Sequence, residues 1–145
     1  MADNDSNLDL QDRVSIIRRD ANGVGTVGSI PVEDLFNGTG VGYSSGSAVT
    51  QGTSRTTAVE INSLAGAITL VSAAGSTTPA SFTVTNSTVA ATDTVVVVQK
   101  SGTDIYDLSV SAVGTGSFRI TFNTKSGTTT EQPVLNFAVI KAAAS

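Results

Sequence analysis

From Ser81 to Lys141 the chain runs through five apolar stretches separated by Gly, Ser, Thr and Asp: SFTVTN, DTVVVVQK, IYDLSVSAV, GSFRITFN and PVLNFAVIK. Apolar and polar residues alternating with a period of two mark a half-buried strand. On that pattern Phe82 and Val84 share one face and Thr83 and Thr85 the other. Tyr106, Leu108, Val110 and Ala112 point inward, with Asp107, Ser109 and Ser111 outward. Phe118, Ile120 and Phe122 point inward, with Arg119, Thr121 and Asn123 outward. Gly114–Gly116 supplies a hairpin turn. Val95 to Val98 is apolar on both faces, which predicts a central strand covered on both sides. The last stretch is also two-sided, with Leu135, Phe137 and Val139 on one face and Val134, Ala138, Ile140 and Asn136 on the other. A buried Phe or Leu contributes about 1.5–3 kcal/mol, so both faces are expected to be covered. Either this is the central strand of a monomeric sandwich, or its second face meets another subunit, around a symmetry axis.

The first half is patterned differently. Residues 1–11 are polar and acidic. Asp12–Arg19 (DRVSIIRR) predicts a short strand, read as a solvated charge cluster or as an arm laid on a neighbouring subunit. Residues 20–29 form a Gly-dense turn or loop. IPVEDLF (30–36) is an apolar island, a strand or one helical turn from Pro31. Residues 37–51 are rich in Gly, Ser and Thr and read as a linker or long loop. Two strands follow, around Val59 and Ile61 and over Gly66–Val71, joined by a turn at Ser63–Gly66. Residues 73–80 and 125–132 are polar connections. The pattern predicts an N-terminal arm and linker over 1–47 and a small antiparallel β-sandwich or barrel-like domain over 48–145.

Composition narrows the chemistry. The 145 residues include no Cys and no His, so the chain has no Cys/His zinc site, no thiol nucleophile and no imidazole base. Only 14% of residues are charged, against about 25% in an average domain. The net charge of −4 is uneven: residues 1–60 hold eight acids and four Arg, residues 61–145 four of each sign. No basic stripe with interleaved aromatics suggests nucleic acid. No apolar run approaches the ~20 residues of a membrane helix, and the N-terminus has neither part of a signal peptide. No cofactor, nucleic acid or membrane is therefore expected.

The local motifs are weak. Gly23, Gly25 and Gly28 match GxGxxG, but Ile30-Pro31 after them is extended, where a dinucleotide site needs a helix. Gly42, Ser44 and Gly46 match GxSxG, without the His that such an elbow requires. Asp104 and Asp107 are read as turn residues. The Asn-x-Ser/Thr triplets at Asn4, Asn37 and Asn86 are read as chance.

Taken together, residues 49–141 resemble a β-domain that recurs in tailed-bacteriophage virion proteins. The matching residues are Val49-Thr50-Gln51 with Thr53-Ser54-Arg55, the FTVTN strand, the Val89–Asp93 turn into the valine run, Gly116-Ser117-Phe118, and Asn136-Phe137-Ala138-Val139-Ile140. Such domains occur in head fibres, capsid decoration proteins and tail fibres. The resemblance implies a homotrimeric, non-enzymatic structural protein. A short acidic arm, where tail fibres usually carry a long shaft, favours a decoration or cement protein bound to the major capsid protein, made in the host cytoplasm and sited on the capsid surface. On that reading Arg13, Val14, Ile16, Ile17, Arg18, Arg19, Ile30, Leu35 and Phe36 are the capsid-binding arm. Val96, Val98, Val134, Ala138 and Ile140 are the trimer interface. The alternative is a tail-fibre or receptor-binding module, with Tyr43 or Tyr106 and the hydroxyl-rich surface on a host glycan.

Overall fold

The computed structural model describes residues 13–19, 25–31 and 46–142. Every regular element among them is a strand, so the all-β class holds. Contacts within the chain divide it into two units, Met1–Gly42 and Tyr43–Ser145.

In the first unit, β1 (Arg13–Arg19) and β2 (Gly25–Pro31) pair antiparallel from Arg13↔Pro31 to Arg19↔Gly25. The segment expected to run out as an extended arm therefore holds a hairpin. Gly25–Ser29, expected in a loop, belong to its second strand. Gly25 and Gly28 lie within β2, so the GxGxxG match opens no helix there.

The second unit is built from β3 (Ser47–Thr50), β4 (Val59–Glu60), β5 (Ala65–Thr69), β6 (Ala73–Ala74), β7 (Ala80–Thr85), β8 (Thr94–Ser101), β9 (Tyr106–Gly114), β10 (Ser117–Thr124), β11 (Thr130–Glu131) and β12 (Val134–Ile140). Two four-stranded sheets, ordered β3-β5-β12-β8 and β4-β7-β10-β9, enclose the core. A third, minimal sheet pairs β11 with β6. The arrangement is a sandwich with open edges rather than a closed barrel. Inward residues of both sheets meet in the middle: Ile68, Leu135 and Val139 from one and Val84 and Ile120 from the other are fully buried. Phe118 and Phe137 span the two sheets with ring centroids 5.3 Å apart.

Several pairings depart from the expected antiparallel meander. β3 lies in the predicted linker, yet it pairs parallel to β5, and β4 pairs parallel to β7. The turn at 63–66 joins strands of different sheets rather than a hairpin. The connection after β8 likewise crosses between sheets, so Asp104 and Asp107 do not flank a hairpin. The valine run is the largest correction. β8 is an edge strand paired only with β12, and its Val96 and Val98 are exposed. A run of four Val satisfies the pattern of a doubly covered strand, but β12 has already taken the central place between β5 and β8.

The β9–β10 hairpin carries a bulge. Arg119 pairs with Ala112 and Ile120 with Val110, which leaves Ser111 unpaired. An extra residue reverses the alternation beyond it, so Val113 packs on the core while Ala112, expected inward, is exposed. Gly116, second of the two loop residues, has φ +79°, a conformation that disfavours any Cβ.

Candidate functional site

The outer face of the β3-β5-β12-β8 sheet follows from register. Opposite residues of paired strands point to the same side. Asn136 stands between Ala67 of β5 and Val98 of β8, and Ala138 stands between Ala65 and Val96. Ala48 continues the row on β3 beside Ala67. Val134 and Ile140 occupy the same side of β12. Val96, Val98 and Ile140 are 44%, 53% and 52% exposed. They are three of the four exposed large hydrophobics among the described residues, the fourth being Ile105 in a loop. Such concentration on one face makes it the candidate interaction surface, whereas scattered apolar residues need no explanation. The outer face of the other sheet is polar, with Thr83, Thr85, Ser109, Ser111, Thr121 and Arg119.

Asn136 is the exception on the apolar face. Its Oδ1 is buried and has no hydrogen-bond partner, the one such side-chain atom among the described residues. An unpaired buried acceptor costs about 1–3 kcal/mol. Its four neighbours on the face, Ala67, Val98, Val134 and Ala138, have no side-chain donor. A shallow depression of about 370 Å³ opens there, lined by Gly46, Ala48, Ala67, Lys100 and Asn136 among others.

The structure thus brings all five residues expected at a subunit contact onto one face. Val96, Val98 and Ile140 are well exposed, and Val134 and Ala138 are half-buried. Of the expected arm residues, Arg13, Val14, Ile16, Ile17, Arg18 and Arg19 lie in β1 and Ile30 in β2. Leu35 and Phe36 lie outside the described residues, as does Tyr43. Tyr106, expected to contact a ligand from the surface, is buried at 6% exposure. Asn86 is fully buried: its Nδ2 donates to Ser63 O and its Oδ1 accepts from Thr88 N and Oγ1.

At one end of the sandwich lies a polar knot that the sequence motifs did not single out. Arg55 is 9% exposed. Its Nε donates to Val71 O at 2.9 Å, Nη1 to Tyr106 Oη at 2.9 Å, and Nη2 to Ala73 O and Glu131 O at 2.6 Å each. The Gln51 amide donates to Arg55 O and Thr57 O. Burial pushes the Tyr106 phenol above its ordinary range, against the opposing pull of Arg55. Burial also raises the Glu131 carboxyl, but backbone N–H donors of Thr103 and Asp104 outweigh it and hold the group low. A cavity of about 390 Å³ opens beside Arg55, lined by Ser54, Ser72, Thr78, Ala80, Tyr106 and Phe122 among others. The guanidinium is committed to the backbone on several sides, so the knot reads as a brace.

Two further acids are structural. Asp104 accepts from Thr129 N and Oγ1 and pins the loop between β10 and β11. Asp93 accepts from Ala90 N at 2.8 Å, from Lys141 Nζ at 2.5 Å and from Ala142 N at 3.2 Å. It fastens the end of β12 to the loop before β8. The Ala90 and Lys141 bonds hold its carboxyl below the usual range. Among the described residues no cluster of three or more acidic, His or Cys side chains is placed to hold a metal ion.

No family model, curated protein or solved structure matches this chain.

Proposed function

We propose that the chain is a capsid decoration, or cement, protein of a tailed bacteriophage. It forms a homotrimer on the virion surface, is anchored on the major capsid protein through its N-terminal segment, and stabilises the capsid without a catalytic role or cofactor. The resemblance of residues 49–141 supports the class. The observation that carries the self-association is the clustering of Val96, Val98 and Ile140 on one outer face, opposed by a polar face on the other sheet. A face that is apolar apart from Lys100 and Asn136 gains by leaving water, at about 25 cal/mol per Å² of apolar area. Arg13, Val14, Ile16, Ile17, Arg18, Arg19, Ile30, Leu35 and Phe36 are the proposed capsid contacts. Three such segments on one trimer add avidity.

The test is the ratio of this chain to the major capsid protein in purified particles, by quantitative mass spectrometry. A near-stoichiometric ratio supports decoration, and absence from particles refutes it. Deleting residues 1–36 is expected to abolish binding to capsids while the β-unit stays folded. A truncated chain that still decorates capsids refutes the anchoring role.

A second reading, a tail-fibre or receptor-binding module, draws on the hydroxyl-rich outer face of β7, β10 and β9. Its contact would be a host glycan on Thr83, Thr85, Ser109 and Thr121 rather than on buried Tyr106. A handful of copies per particle, with binding of the isolated protein to host cells, would favour it.

A further inference from the structure

We infer that Asn136 sets the register of the contact between copies of this chain, its carbonyl oxygen accepting a hydrogen bond from the Asn136 amide of a neighbouring copy. The inference rests on the self-association proposed above and identifies what completes that face. Among the described residues Asn136 Oδ1 has no partner, and Ala67, Val98, Val134 and Ala138, which frame it, have no side-chain donor. Lys100 lines the same depression, but it does not bond the oxygen. A donor on a facing copy would complete it, and that donor must suit a face otherwise built of Ala, Val, Ile and Thr beside Lys100. A charged donor would be stripped of water there at high cost. A neutral amide presented on an equally apolar background fits, and the same face of a second copy offers one.

Geometry favours a closed ring. An Asn amide has two donors and one acceptor oxygen. Three of them around a three-fold axis can each donate once and accept once, which leaves no acceptor unpaired. Rotation about the soft χ2 of Asn turns the oxygen from its position in the isolated chain toward the neighbour. Val98, Val134 and Ala138 then pack around the ring and exclude water. A polar amide inside an apolar contact admits few alignments, because every slipped register strands its hydrogen-bonding groups; a buried Asn fixes oligomer state in coiled coils on the same grounds.

The absence of Cys makes the test direct. In the full-length chain, Asn136→Cys is expected to form covalently linked dimers on mild oxidation. Thr83→Cys, on the outer face of the other sheet, is expected to form none. Native mass spectrometry should show one trimeric mass for the unaltered chain. Asn136→Val removes the orphan oxygen, folds at least as well, and should still associate but spread over several oligomeric masses. Asn136→Asp should weaken association at least about tenfold, because like charges meet at the axis. Lys100→Met should keep the single trimeric mass, since Lys100 does not set the register. If the unaltered chain is trimeric while Asn136→Cys fails to crosslink, or Asn136→Val keeps a single mass, the role of Asn136 is refuted and self-association stands. If the unaltered chain is monomeric yet abundant on particles, self-association and this inference both fail and decoration stands.

Discussion

Replacing Arg55 by Met removes four donated hydrogen bonds while keeping most of the aliphatic stem, which itself packs. The acceptors that lose Arg55 are the carbonyls of Val71, Ala73 and Glu131 and the hydroxyl of Tyr106; Ala73 and Glu131 stay paired in the β6–β11 ladder. A lost hydrogen bond costs about 1 kcal/mol net, and up to about 3 kcal/mol where the acceptor is left unpaired. The lower end applies here, since the adjoining cavity of about 390 Å³ has room for replacement water. Four groups at that rate give a loss of roughly 3–5 kcal/mol, a large part of the 5–15 kcal/mol that holds a typical domain. For a unit of this size it corresponds to a melting temperature lower by about 12–20 °C. Tyr106→Phe removes only one of the four bonds and should cost about 1 kcal/mol. The assay is urea unfolding of both variants, followed by circular dichroism. A loss for Arg55→Met no larger than that for Tyr106→Phe would show that the carbonyls are not held by Arg55 and would refute the brace.

Two further outcomes follow from the loops. Gly127→Ala would drive its Cβ into the carboxylate of Asp104, which is held in place by Thr129. A loss of about 1–3 kcal/mol is expected, read as a lower urea midpoint, and an unchanged midpoint would mean that the loop shifts freely. Asp93 titrates lower in the folded chain than in the unfolded one, so its contribution is complete above the unfolded carboxylate range and is lost as pH falls through the folded value. Asp93→Asn should therefore flatten the fall of stability below about pH 4. An unaltered acid limb in a urea titration across that range would count against the Asp93–Lys141 fastening.

The strands of the core were legible because their alternation is strict. Phe82/Val84, Phe118/Ile120/Phe122 and Leu135/Phe137/Val139 needed only the period-two rule, and all are buried. Sheet membership was not legible. Nothing in Ser47–Thr50 distinguishes a four-residue parallel edge strand from the Gly/Ser/Thr linker before it, because such a strand is held by its neighbour's backbone rather than by its own side chains. The bulge at Ser111 was hidden for a related reason. One unpaired residue shifts the phase for Ala112 and Val113 without altering the composition of the stretch. Arg55 entered the sequence reading only within the run Thr53-Ser54-Arg55, with no role assigned to it. Its acceptors come from residues 71, 73, 106 and 131, and no local pattern predicts their convergence.

The valine run shows what a two-sided apolar pattern leaves undecided. Val95 to Val98 is apolar on both faces, and the rule that both faces be covered was applied within one chain. Inside the sandwich only one side finds cover: Val95 reaches the core, while Val96 and Val98 remain exposed on an edge strand. The same holds for β12, where Leu135, Phe137 and Val139 fill the core and Ile140 stands in solvent. The pattern therefore described two kinds of burial, one completed by folding and one still open. The open part is continuous across β8 and β12, uncharged except for Lys100, and has at its centre an acceptor with no partner. Folding alone would be better served by a Val at position 136, which would fill the same place without an orphan oxygen. On the self-association proposed above, Asn136 gains its hydrogen bond from a second copy, and the apolar excess of the sequence is covered in the same contact.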